Sequence, residues 1–149
     1  MKIVVTSDSH GRLETLKRIS ASEQADLYLD AGDSEREEGE LHPFLTVKGN
    51  RDFLVETKYR IVDAEGVRIF LFHGDRTPLT RDYLAQLAKN NGCGIIIHGH
   101  THVPYYTVHE GVHILCPGSV TYPRSLKGAT YAVLSVGSEI EAEIKKVKR

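Results

Sequence analysis

The chain has 149 residues, 40% hydrophobic and 26% charged, with a formal net charge of −1 and a sequence pI of about 6.7. That length suits a single domain spanning 1–149, and the near-neutral charge excludes a broad electrostatic footprint for nucleic acid or an anionic membrane. No apolar run approaches the roughly 20 residues needed to span a bilayer, and the opening Met1–Thr6 is too short for a signal peptide's apolar region, so a cytoplasmic location is expected.

Ile3–Thr6 reads as a buried strand, and Leu13, Leu16 and Ile19 recur at helical spacing, predicting a helix over Leu13–Ser22. Leu27–Ala31 is a second short apolar run. The acidic stretch Ser34–Glu40 reads as a loop with one helical turn at most, and Leu45–Lys48 as a third strand. Tyr59–Val62 and Val67–Phe72 flank the turn-like Asp63-Ala64-Glu65-Gly66 and predict a hairpin. Thr80 suits the N-cap of a helix carrying Leu84, Leu87 and Ala88 on one face, which Asn91-Gly92 would end. Ile95–Ile97 is an all-β-branched strand. Two hairpins follow: Tyr105–Val108 with Val112–Leu115, and Tyr131–Val136 with Ile140–Ile144. The first two-thirds is thus α/β and the last third nearly all strand. Two sheets packed face to face with helices outside fit this count better than one sheet covered on both sides.

Five polar segments each follow a predicted strand: Asp8-Ser9-His10, Gly32-Asp33, Gly49-Asn50-Arg51-Asp52, His73-Gly74-Asp75 and Gly99-His100-Thr101-His102. Loops at the carboxyl ends of strands gather at one sheet edge, where ligands bind. Asp, His and Asn supply hard oxygen and borderline nitrogen donors. That mix suits manganese, iron, zinc or nickel better than calcium. Seven candidates, Asp8, His10, Asp33, Asn50, His73, His100 and His102, are too many for one zinc-like ion with an open position. They match two ions sharing a carboxylate.

Taken singly, each segment has a blander reading. Asp8-Ser9-His10 could cap the following helix, and Gly32-Asp33 and Gly49-Asn50 could be turns. The ordered set of five carries the metal reading. His98 reads as a strand residue that orients a neighbour by hydrogen bonding. His42, His109 and His113 read as surface or hairpin residues. Cys93 and Cys116 form no metal or redox motif and read as buried, reduced thiols. Lys145, Lys146, Lys148 and Arg149 read as a solvated strand tail.

These five segments together resemble the signature of the calcineurin-like metallophosphoesterases. Their order and compact spacing resemble the small YfcE-type phosphodiesterases, as does Pro117-Gly118-Ser119 followed by Pro123-Arg124. The resemblance covers residues 4 to 124. It implies an α/β fold, a four-layer αββα sandwich of two mixed sheets flanked by helices, with two divalent metals at one edge. It also implies that Asp8, His10 and His102 hold one metal, that Asn50, His73 and His100 hold the other, and that Asp33 bridges them. The implied activity is hydrolysis of a small phosphate ester, a diester before a monoester, by a hydroxide bridging the two metals. Manganese is the first expectation, with nickel, iron and zinc as alternatives.

Asn50, Arg51 and His73 are the expected catalytic residues. Arg51 stands where nucleases and protein phosphatases of the superfamily have His, which bears on the leaving-group acid. Asp75 and Cys116 stand where the subgroup often has His and Asn, which bears on the substrate pocket. Arg51 is expected either to donate to phosphoryl oxygens or to pair with Asp52 or a nearby acid, Asp52 to orient Arg51 or a neighbouring His or to form a turn, and Arg124 to contact phosphate or a surface acid. Two other functions are compatible with the resemblance. One is a non-catalytic metal-binding scaffold, as in a retromer subunit that resembles the family. The other is a nuclease, which the charge and Arg51 disfavour. Self-association stays open.

Overall fold

Alternation along the strands builds the architecture. In the computed structural model, which describes residues 1–148, Ile3 and Val5 of β1 (Lys2–Thr6) point into one core while Val4 between them points into another. Successive side chains of a strand face opposite ways, so a strand apolar on both faces needs a cover on each. The same holds for β5 (Val67–Phe72), where Ile69 and Leu71 face one core and Phe70 the other, and for β6 (Ile95–Ile97), where Ile95 and Ile97 oppose Ile96.

The elements satisfy this with four layers. One sheet has the order β10-β9-β1-β2-β3, where β2 is Leu27–Asp30, β3 Phe44–Thr46, β9 Thr130–Val136 and β10 Ile140–Lys146. The other has the order β4-β5-β6-β8-β7, with β4 Tyr59–Ala64, β7 Tyr105–His109 and β8 Val112–Cys116. Both are mixed: β1-β2-β3 and β5-β6-β8 are parallel, and the hairpins attach antiparallel. The central core lies between the sheets. Helix α1 (Leu13–Ser22) covers the outer face of the first sheet through Leu16 and Ile19. Helix α2 (Arg81–Asn90) covers the second through Leu84, Ala85 and Ala88. Thr80 caps α2 as expected, its hydroxyl accepting from the Tyr83 N–H at 3.2 Å. This is the expected αββα sandwich.

Some expectations change. Strand β3 stops at Thr46 instead of running to Lys48. Beyond it the Lys48 N–H donates to the Thr57 carbonyl, so the chain leaves the ladder early and turns toward Gly49. The acidic stretch forms a 3₁₀ turn over Glu38–Leu41. Lys145 is no solvated tail residue, because its ammonium donates to the carboxylate of Glu23 at 2.8 Å, and that carboxylate is almost fully buried. Arg149 lies outside the described residues. Cys93 and Cys116 are both free and buried. Among the described residues, no helix is long and apolar enough to cross a membrane.

Candidate metal centre

The five polar segments converge. Asp8 and His10 follow β1, Asp33 follows β2, Asn50 follows β3, His73 follows β5 and His100 and His102 follow β6. Parallel pairing of β1-β2-β3 and of β5-β6 points these strand ends the same way in each sheet. The turns are sharp: Asp8 (φ 55°), His10 (46°), Asp33 (60°), His100 (72°) and His102 (63°) all occupy the left-handed region. Each such non-glycine conformation costs on the order of 1–3 kcal/mol and persists only where the surroundings enforce it. Two glycines permit the close approach. A Cβ on Gly49 would lie 2.1 Å from Asp33 Oδ1, and one on Gly99 would lie 2.1 Å from Ser7 Oγ.

Asp8 sits at the centre and is fully buried. Its Oδ2 accepts from Ser7 Oγ at 2.6 Å and from the His100 N–H at 3.1 Å. Its Oδ1 is buried with no hydrogen-bond partner. Three imidazole nitrogens surround that oxygen: His102 Nε2 at 3.2 Å, and His10 Nε2 and His73 Nε2 at 3.8 Å each. Two groups could each hold a cation, Asp8 with His10 and His102, and Asp8 with Asp33 and His73. Asn50 Oδ1 lies 3.0 Å from His73 Nε2 and 3.3 Å from His100 Nδ1, which ties the remaining two candidates to the second group. All seven expected residues are thus brought together.

The imidazoles are aimed by their other nitrogens. His73 Nδ1 lies 2.7 Å from the Ala31 carbonyl and His102 Nδ1 2.7 Å from the Tyr122 carbonyl. A carbonyl only accepts, so both Nδ1 atoms carry hydrogen. In the neutral ring Nε2 is then the lone-pair nitrogen, turned to the site. Burial opposes charge on His73, but its bond to Asp33 and the charges of Asp8 and Asp33 win, lifting it to about 9. Burial likewise works against ionising Asp33, yet His73 holds its carboxyl below the usual value. The carboxylate of Asp8 raises His102. His98 does not orient a ligand. Its Nδ1 donates to the Gly99 carbonyl, its Nε2 faces the Tyr105 hydroxyl, and burial pushes it down to about 4.

Other side chains take roles set by contacts between loops. Asp52 takes the turn-forming alternative, its N–H donating to the Gly49 carbonyl at 3.3 Å. Its buried carboxylate accepts the backbone N–H of Asp33, Glu35 and Gly49 at 2.8–2.9 Å, stapling the loop after β2 to the loop after β3. Arg51 pairs with a nearby acid, the second of its expected roles: its Nε lies 3.6 Å from Glu35 Oε1, with the side chain 66% exposed. Ser119 braces the Asp8 loop by donating to the Asp8 carbonyl, and accepts from the N–H groups of Thr121 and Tyr122. Asp30, fully buried, links three strands by accepting from the Thr6 and Thr46 hydroxyls and the Gly32 N–H; burial raises it to about 7. Cys116 is fully buried, its Sγ 3.7 Å from the Thr101 hydroxyl. The open cleft over the site, about 400 Å³, is lined by His10, Asp33, Asn50, His100, His102 and the two guanidinium residues Arg51 and Arg124.

The calcineurin-like phosphoesterase superfamily domain matches residues 1–139. The chain belongs to that superfamily. The probable metallophosphoesterase YsnB of Bacillus subtilis (strain 168) is 33% identical over 148 residues, covering 93% of this chain and 86% of YsnB. The phosphodiesterase YfcE of Escherichia coli (strain K12) is 26% identical, covering 90% of this chain and 87% of YfcE. A conserved uncharacterised protein of Streptococcus pneumoniae TIGR4 superposes with a TM-score of 0.89 at 24% identity, covering 97% of this chain and 88% of that one, and shares the fold. Metallophosphoesterase membership accounts for the donor set: a carboxylate oxygen buried with no hydrogen-bond partner, among imidazole nitrogens, is an arrangement that a divalent cation completes.

Proposed function

We propose that the chain is a phosphodiesterase that uses two divalent ions, manganese before nickel, iron or zinc, to hydrolyse a small phosphate ester. The observation that carries this is the buried Asp8 Oδ1, unpartnered and ringed by the Nε2 atoms of His10, His73 and His102. Burying it without a hydrogen-bond partner costs free energy that a bound cation would offset.

Asp8, His10 and His102 would hold one ion and Asn50, His73 and His100 the other, with Asp33 between them. The contacts of Asn50 with His73 and His100 support the second group. Asp8 lies within reach of both groups of donors and Asp33 of one, so the bridging role of Asp33 rests on resemblance. Bound ions would supply Lewis acidity, lowering the pKa of a water and offsetting charge on phosphoryl oxygens. The chain does the rest. The Ala31 and Tyr122 carbonyls fix the donor faces of His73 and His102. Asn50, a neutral donor, leaves its ion more positive than a carboxylate would. Arg51 and Arg124 at the cleft offer guanidinium N–H groups to phosphoryl oxygens. His73 would bind a cation through its neutral ring, so loading the site would release any proton held there.

The reading is tested by metal content and substrate preference together. Asp33→Ala is expected to retain almost no manganese and Asn50→Ala about one ion per chain. The wild type is expected to show a higher kcat/KM for bis(p-nitrophenyl) phosphate than for p-nitrophenyl phosphate. Equal metal loss in the two variants contradicts the bridging role, and a preference for the monoester contradicts the diesterase reading.

A further inference from the structure

A second concavity, about 650 Å³, adjoins the metal centre on the side of Asn50 and His73. Asn50 lines both it and the cleft above the metal residues, so the two lie side by side. Its composition is unlike that of the cleft. It takes two of the chain's seven tyrosines, Tyr59 and Tyr83, and two of its four phenylalanines, Phe70 and Phe72.

Tyr59 lies flat on Phe70, ring centroids 5.3 Å apart and planes 8° from parallel, while Phe72 meets Phe70 edge-on. Phe70 is buried, yet Tyr59 is 55% exposed and Tyr83 46%. Each exposed ring costs apolar area left in water, and Tyr59 offers its uncovered face as a stacking surface. Three cations, Lys48, Lys58 and Arg76, line the same groove against one carboxylate, Asp75. None of the three makes an ion pair among the described residues, in a chain whose formal net charge is −1. Unpaired cations beside exposed aromatic faces suit one ligand chemistry, a planar π-system carrying phosphate.

We propose that this groove is the substrate-binding arm of the site and takes a nucleotide, with its base on Tyr59 and Tyr83 and a non-scissile phosphate on Lys48, Lys58 and Arg76. The inference rests on the phosphoesterase reading and narrows its small phosphate ester to a nucleoside-bearing one. Two side chains then connect recognition to reaction, since Asn50 and His73 belong to both the groove and the metal centre. The alternative that Tyr59 merely roofs Phe70 predicts a loss of stability on truncation with no discrimination between ligands with and without a base.

The test is calorimetric binding to the manganese-loaded protein, using AMP, ADP, ribose 5-phosphate and inorganic phosphate as probes. AMP is expected to bind about 5- to 100-fold more tightly than ribose 5-phosphate, the range that one or two base-aromatic stacks provide. Tyr59→Ala should abolish most of that ratio and Tyr59→Phe should keep it. ADP should bind more tightly than AMP, and Lys58→Gln should shrink that second ratio. Equal affinity for AMP and ribose 5-phosphate, or an unchanged ratio in Tyr59→Ala, overturns the base site. Equal affinity for ADP and AMP overturns the role of the cations. Hydrolysis of bis(p-nitrophenyl) phosphate by the wild type separates the two levels. If the diester is cleaved but the base adds no affinity, the groove assignment alone falls; if it is not cleaved, the phosphoesterase reading falls.

Discussion

Arg51 distinguishes this chain from relatives with histidine at that position. An imidazole with a pKa near 6.5 can protonate a departing oxygen, whereas a guanidinium keeps its protons at any working pH. The side chain reaches the cleft and, among the described residues, its one ion pair is with Glu35 at 3.6 Å, a half-exposed pair that leaves it free to turn to a phosphoryl group. Rates should therefore fall steeply as leaving-group pKa rises, because general-acid help worth about 10²–10⁴-fold is missing. Arg51→His should recover part of the activity on alkyl esters, and Arg51→Ala should raise KM. Unchanged kcat and KM in Arg51→Ala, measured across a series of aryl and alkyl diesters, would remove Arg51 from the mechanism. At this scale the sequence was informative where chemistry repeats: two histidines beside a glycine turn, each aspartate at a strand end. It was silent where a role depends on a partner far along the chain. Asp52 had the residue type of a turn former and its real work, accepting three backbone N–H groups from two loops, becomes visible only when those loops meet.

Among the elements, the join between the end of α1 and the hairpin β9–β10 is held by a buried carboxylate. Glu23 accepts from Tyr131 Oη at 2.5 Å, Lys145 Nζ at 2.8 Å and Lys2 Nζ at 3.0 Å. Burial alone would raise its pKa, but these donors pull it down to about 2, against an ordinary glutamate value of 4.5. A carboxyl with a depressed folded-state pKa stabilises the fold fully above the unfolded value. That contribution is lost as pH falls from about 4.5 toward 2. Glu23→Gln should accordingly lower Tm at pH 7, and the gap from wild type should narrow through that window; a gap independent of pH would show that the effect is packing. Nothing in the sequence pairs Glu23 with Lys145, which is 122 positions away. Periodicity had more to say about elements whose partners are local. The run Ile95–Ile97 announced a strand buried on both faces, and Thr80 announced its helix. The sequence pattern runs past the end of β3 because Val47 is as apolar as a strand residue and fully buried, although it pairs with nothing in the ladder.

Across the molecule, two mixed sheets bring the carboxyl ends of five strands to one edge, and the backbone there is held in conformations that only a rigid sandwich sustains. The strand count implied two sheets, and the order of polar segments implied the convergence. The aromatic groove was not legible, because Lys48, Tyr59, Arg76 and Tyr83 come from four separate segments that no spacing rule links. The central claim concerns what the converged residues hold. Manganese titrated into metal-free protein well above its dissociation constant, with hydrolysis of bis(p-nitrophenyl) phosphate followed at each addition, tests it most directly. Activity should be absent without metal and rise to a plateau with its break at two ions per chain. Full activity without metal, a break at one ion, or no activity at any ratio would contradict it.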